Sequence, residues 1–168
     1  MTTFSVERID QVSTKSFAET VAAFEQKVPR ADVSVFTQLI TSGASRSQIE
    51  GKVQGMTGDL GFMTLAKIDQ GPLVSRLGKP KKMSVYLIGN PVLANRMYDE
   101  DPATGLYAPL RVAIYEDYGS VTHFTYDLPS SSLGQFQNAD IGVVACLLDE
   151  KMSILAHCLA NQEARNER

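Results

Sequence analysis

A chain of 168 residues, 43% of them hydrophobic, is long enough for one well-cored domain and too short for two comfortable ones, so residues 1–168 are expected to form a single domain. The net charge of -3 excludes a protein whose main task is gripping nucleic-acid phosphates. No segment approaches a membrane span, and the opening "MTTFSVERID" has acids but no apolar core of the length a signal peptide requires, so a cytoplasmic protein is expected, with neither nucleic acid nor membrane as partner.

Phe4, Val6 and Ile9 predict an opening strand. Ser16 and Glu19 then make a capping box ahead of Phe17, Val21, Phe24 and Val28 at helical spacing, and Pro29 stops that helix. Residues 30–60 predict an inserted helical pair. Asp32 can cap "VSVFTQLI", and Ser45 with Gln48 can cap "QIEGKVQGM". Gly55, Gly58 and Gly61 predict a loop, because their spacing matches neither phosphate-binding glycine pattern.

Four strands are expected next, in "FMTLAKID", "MSVYLIG", "LRVAIYE" and "VTHFTY". Between the first two, Arg76, Lys79, Lys81 and Lys82 read as a solvated loop, with an anion-binding rim as the alternative. Between the last two, a three-residue loop of Asp117, Tyr118 and Gly119 would place glycine at a left-handed position. That register sets Glu116 against Ser120, Val112 against Phe124 and Leu110 against Tyr126, leaving Arg111, Tyr115, His123 and Thr125 on the opposite face. "LPSSSLGQF" reads as a serine-rich turn.

A long helix is expected from near Asp140, with Ile141, Ala145, Leu148, Met152, Leu155 and Leu159 in one stripe and His157 almost opposite. Cys146 and Cys158 share that helix about 18 Å apart, beyond disulfide reach. The tail at 161–168 is expected to fray.

This order gives an α+β fold: strand, helix, helical insert, four strands, helix, with an antiparallel sheet carrying helices on one face. In "MSVYLIG" both alternating sets are apolar, Met83, Val85 and Leu87 against Tyr86 and Ile88. A half-solvated strand alternates more cleanly, so a partner subunit, a ligand or the insert is expected to cover the second face.

"GFMTLAKID", "LIGNPVLANRMYDEDPATGLYAPLRVAIYED" and "YDLP", with the early helix "SFAETVAAFEQKV", resemble the domain-of-unknown-function 302 family over residues 4–28 and 61–155. The resemblance implies a fold similar to one repeat of the TATA-binding-protein architecture, and members that can be homodimers. It implies no activity, and the fold-level likeness carries no DNA-binding inference. The compact form of the family has no counterpart to the insert at 30–60.

The stretch "YDEDP" invites a metal reading, since Asp99 and Asp101 are spaced like the first two ligands of a calcium loop. The next ligand position is Ala103, the glycine comes one residue late at Gly105, and Leu110 stands where a bidentate glutamate is needed. Two histidines without metal spacing argue against zinc, so no metal and no cofactor are expected. Asp99 and Asp101, with Glu116 or Asp117, remain as residual carboxylate ligands. No nucleophile motif is present.

The site candidates are therefore Arg111, Tyr115, His123 and Thr125 on one hairpin face, with Asn90 at the strand-to-helix corner. Three functions follow, in order of preference. The first is a non-enzymatic homo-oligomeric module that binds a small apolar or anionic ligand. The second is an assembly protein without ligand. The third is a small enzyme in which His123 moves a proton while Arg111 holds an anionic substrate.

Overall fold

Strand β1 (Arg8–Ser13) leads into α1 (Phe17–Lys27) and then the helical pair α2 (Val33–Thr41) and α3 (Arg46–Met56), in a computed structural model that describes residues 1–79 and 81–160. Next come β2 (Met63–Ile68), the short α4 (Gly71–Val74), β3 (Met83–Gly89) and α5 (Pro91–Tyr98). The chain continues through β4 (Leu110–Glu116), β5 (Thr122–Asp127), α6 (Pro129–Leu133) and α7 (Ala139–Ala160). The expected α+β order is present, with α4 and α6 as additions; the "PSSSL" read as a turn winds into α6. The tail at 161–168 lies outside the described residues.

Local chemistry starts the helices where the sequence placed them. Ser16 with Glu19 and Ser45 with Gln48 both form reciprocal capping boxes, and the Asp32 carboxylate accepts the amide of Ser34. Gly58 lies so close to α1 that an added Cβ would stand 2.0 Å from the carbonyl oxygen of Lys27, so only glycine fits there. Gly55, expected in the loop with it, sits in the last turn of α3.

The sheet runs β1-β5-β4-β3-β2, with every neighbouring pair antiparallel. Two expectations shift here. The first strand begins at Arg8 rather than Phe4, because its partner β5 ends at Asp127; beyond it Glu7 bonds the Leu128 amide and the Ser131 hydroxyl as the chain turns into α6. The hairpin pairs Glu116 with Thr122, Ile114 with Phe124 and Val112 with Tyr126, two residues away from the expected register. The Asp117 carboxylate builds that turn by accepting the amides of Gly119 at 2.8 Å and Val121 at 2.9 Å. Ser120, at φ 64, takes the left-handed position expected of Gly119. Strand periodicity is two, so a two-residue shift leaves every side chain on its expected face.

One face carries the core. Tyr86, Ile88, Val112, Ile114, Phe124 and Tyr126 pack beneath Phe24 of α1, Val28 just past its end and the stripe of α7. Ile141, Ala145, Leu148, Met152, Leu155 and Leu159 are all buried, joined by Val144 and Ala156. Each large apolar side chain so buried stabilises the fold by about 1.5–3 kcal/mol relative to exposure. The Tyr86 hydroxyl stays satisfied at the core's edge by donating to Glu25 Oε1 at 2.9 Å, and Lys67 Nζ reaches the same oxygen at 3.0 Å. His157 is exposed on the far side of α7, Cys146 is exposed and Cys158 half-buried.

The other face carries Arg8, Asp10 and Val12, then His123, Thr125 and Asp127, then Arg111, Ala113 and Tyr115, by the strand registers. Met83, Val85 and Leu87 of β3 follow, with Ala66 and Ile68 of β2. The helical pair covers only one corner of this face. Met63 is buried there with Val53 and Ala31, against Phe36, Met56 and Leu65. Met83, Val85 and Leu87 remain partly open and Ile68 exposed, so the pair does not supply the cover expected for the second face. Among the described residues, no helix is long and apolar enough to cross a membrane.

Candidate functional site

The largely apolar cavity lies where β3 hands over to α5. Asn90 begins that helix by accepting the amides of Val92 at 3.0 Å and Leu93 at 3.2 Å, while its Nδ2 donates to the Gly61 carbonyl at 3.0 Å. Pro91 suits the first turn, where a missing amide hydrogen leaves no bond unmade. The corner stands off from the sheet and leaves a cavity of about 180 Å³. Leu93, Ala94 and Met97 of α5, Ile88 of β3, Leu148 of α7 and Phe36 of α2 form much of its wall, and Pro109 and Leu110 close the β4 side.

Phe36 reaches this wall from a helix with little other anchorage. None of the nine residues of α2 is buried, and Ile40 is 79% exposed. Leu65 joins the wall at a register shift between Thr64 and Ala66 in the β2–β3 pairing. Asn90 was the one site candidate placed at this corner by sequence, and it does line the cavity. Phe36, Leu65, Leu93 and Leu148 were missed.

The other candidates gather on the open face. The rings of Tyr115 and His123, cross-strand partners, stack at 4.8 Å between centroids and 5° between planes. His123 Nδ1 lies 2.9 Å from Asp10 Oδ2, and since a carboxylate only accepts, Nδ1 is the donor. Nε2 stands 3.5 Å from Asp117 Oδ2, buried and without a hydrogen-bond partner. The Tyr115 hydroxyl approaches Asp10 at 3.4 Å; burial and then the Asp10 charge raise its pKa. The pKa of Asp117 is lowered by the Val121 amide first and then by the Gly119 amide and His123, with desolvation opposing them. Asp10 was missed because the opening strand was read too early to include it.

Thr125 is two residues along the same face, its hydroxyl donating to the Ile9 carbonyl at 2.9 Å. Arg111 is exposed, and neither it nor His123 lines the apolar cavity. A second hollow, about 380 Å³, opens beside the basic loop and is lined by Ser75, Lys81, Lys82, Tyr115, Glu116 and Asp117 among others. Lys82 there pairs with Glu116 at 2.9 Å, and Lys79 lies 5.1 Å from the centroid of the Tyr118 ring.

The acids of "DEDP" act locally. Asp99 accepts from Asn95 Nδ2 at 2.8 Å, and Asp101 caps the turn at 102–106 by accepting the amide of Ala103 at 2.8 Å. Among the described residues, no three His, Cys, Asp or Glu side chains converge into a group that could hold a metal ion.

Comparison with known proteins agrees with the fold. Residues 38–157, well over half of the chain, match the family described as "Domain of unknown function DUF302". The crystal structure of an uncharacterized conserved DUF302 protein from Bacillus stearothermophilus is similar at a TM-score of 0.64, with 14% identity over 90% of this chain and 97% of that one. No curated protein matches the chain.

Proposed function

The chain belongs to the DUF302 family, whose description assigns no activity, and from the geometry of its site we propose that it is a cytoplasmic small-molecule-binding module. Its ligand is compact and apolar and sits at the corner between β3 and α5. One observation carries this reading: a cavity of about 180 Å³ with almost wholly apolar walls, bordered by residues of the main core. Protein interiors pack as densely as organic crystals, so an unfilled apolar space forgoes dispersion contacts that a ligand of matching shape recovers.

The module is also proposed to work as a homo-oligomer. What favours this is the open sheet face, where Met83, Val85 and Leu87 of a central strand lie beside exposed Ile68. A second copy would remove that apolar stripe from water.

Native mass spectrometry of gently released protein tests both parts in one spectrum. A small molecule retained by the wild type and lost from Ala94→Leu, which narrows the cavity, is the expected result. A bare chain, together with no rise in melting temperature across panels of small apolar compounds, overturns the ligand reading. A monomer at high concentration in light scattering overturns the oligomer.

A further inference from the structure

We propose that the cavity selects an uncharged molecule of about one ring carrying a single hydroxyl, and that Tyr98 is the residue that selects the hydroxyl. This rests on the cavity being a ligand site, and it adds the ligand's class and the residue that reads it.

Size comes from the volume. A dry cavity of about 150 Å³ lined by aliphatic and aromatic side chains holds a benzene ring. At about 180 Å³ this one has room for a ring with one or two small substituents. A longer or two-ring molecule would have to extend out of the cavity's mouth or displace wall residues such as Ile88 and Leu148, both of which also pack in the main core.

Charge is excluded by the wall's composition. No Asp, Glu, Lys, Arg or His lines the cavity, so an ionised ligand would leave water and meet no opposite charge. The anionic ligands that Arg111 or the basic loop would suit do not belong here.

Polarity is set by what remains unfilled. Asn90 and Tyr98 are the two wall residues with side-chain hydrogen-bonding groups. Asn90 is committed, its oxygen to two helix amides and its nitrogen to the Gly61 carbonyl. Tyr98 makes one bond, donating to the carbonyl of Ala108 at 3.3 Å, longer than the usual range for a hydroxyl donor. Both members of that bond belong to wall residues. Among the described residues no protein group donates to the Tyr98 oxygen, a part-buried atom of a wall residue that is therefore able to accept a hydrogen bond. A ligand hydroxyl donating to it fills the gap, whereas a plain hydrocarbon leaves it empty and a carboxylate brings only further acceptors.

The test titrates the full-length protein with toluene, p-cresol and p-toluate, following the methyl resonances of Leu93, Met97 and Leu148 by NMR, and repeats the series with Tyr98→Phe. Toluene is expected to bind, p-cresol about fivefold to tenfold more tightly, as one neutral hydrogen bond allows, and p-toluate not to bind. In Tyr98→Phe the advantage of p-cresol should vanish while toluene affinity stays unchanged, which also shows that the cavity is intact. If none of the three probes shifts the cavity methyls, the ligand-site reading itself falls. If toluene binds but p-cresol gains nothing, keeps its gain in Tyr98→Phe, or is matched by p-toluate, the cavity stands and the proposed selection is wrong.

Discussion

The apolar cavity and the His123 cluster sit at opposite ends of β4, Leu110 lining one and Tyr115 belonging to the other, and they differ in kind. The cluster has the chemistry of a site, and the polar hollow of about 380 Å³ beside it is lined in part by Tyr115 and Asp117. Asp10 takes one histidine nitrogen, Tyr115 covers the ring and Asp117 closes over the second nitrogen. The cavity has room and almost no chemistry, with one long hydrogen bond on its wall. These polar side chains are turned on one another, with His123 Nε2 left buried and without a hydrogen-bond partner. Unfilled volume beside an unfilled acceptor is the stronger sign of a missing molecule.

That contrast makes the wall the place where mutation should do most. Leu148 serves both the core and the cavity, so Leu148→Ala is expected to cost about 2–5 kcal/mol in denaturant unfolding. It should also enlarge the space enough to admit naphthalene, which NMR of the Met97 methyl would report. A cost near zero would mean that the side chain already borders open water and that the cavity is a surface dent.

A second effect, somewhat smaller, comes from the polar group on the covered face. Burial, and then the hydrogen bond to Glu25, push the Tyr86 hydroxyl up to about 12 from its ordinary 10.0. The unfolded chain therefore releases this proton first. The contribution of Tyr86 is complete below pH 10 and is lost as pH rises to about 12, on the order of 2–3 kcal/mol in all. In Tyr86→Phe the decline of stability between those two pH values should be visibly shallower. An unchanged slope would show that the hydroxyl is as free in the fold as in the unfolded chain.

The two regions also differ in how far they could be read from sequence. The His123 face was legible because strand side chains alternate. Arg111, Tyr115, His123 and Thr125 share it although the hairpin register was off by two residues. The miss itself has a physical cause, since the Asp117 side chain builds the turn that a left-handed glycine was expected to build. Capping at Ser16, Asp32 and Ser45 was legible because donor and acceptor lie within three residues of each other. The cavity was not. Its wall joins Phe36, Leu65, Leu93 and Leu148 from four elements, and emptiness depends on how these meet, which no local pattern records. Only the Asn90-Pro91 corner marked the place.

A third prediction sharpens the distinction at its polar end. Asp10→Ala should cost about 1 kcal/mol by removing the acceptor of His123 Nδ1. His123→Phe should cost less, because it also removes a buried nitrogen that has no partner. In the double mutant the two costs should fail to add by about 0.5–1.5 kcal/mol, the coupling of a pair in direct contact. Affinity for p-cresol should be the same in all three variants. A change in that affinity would join the two ends of β4 into one site and undo the contrast.

The smallest effect is expected at Asp117, and its sign follows from the turn. The amides of Val121 and Gly119, with His123 nearby, hold the carboxyl below its ordinary 3.8 in the fold, so the unfolded chain takes up this proton first as acid is added. The stabilisation is therefore present above pH 4 and disappears as pH falls through the lower, folded value. Asp117→Asn keeps an oxygen that can accept both amides but removes the charge facing His123 Nε2. The variant should be slightly less stable than the wild type at neutral pH, having lost the contribution of the charge, and should show a shallower acid limb below pH 4. A steeper limb would mean that the carboxylate strains the turn, and that the closure over His123 is imposed by the hairpin and not by the charge.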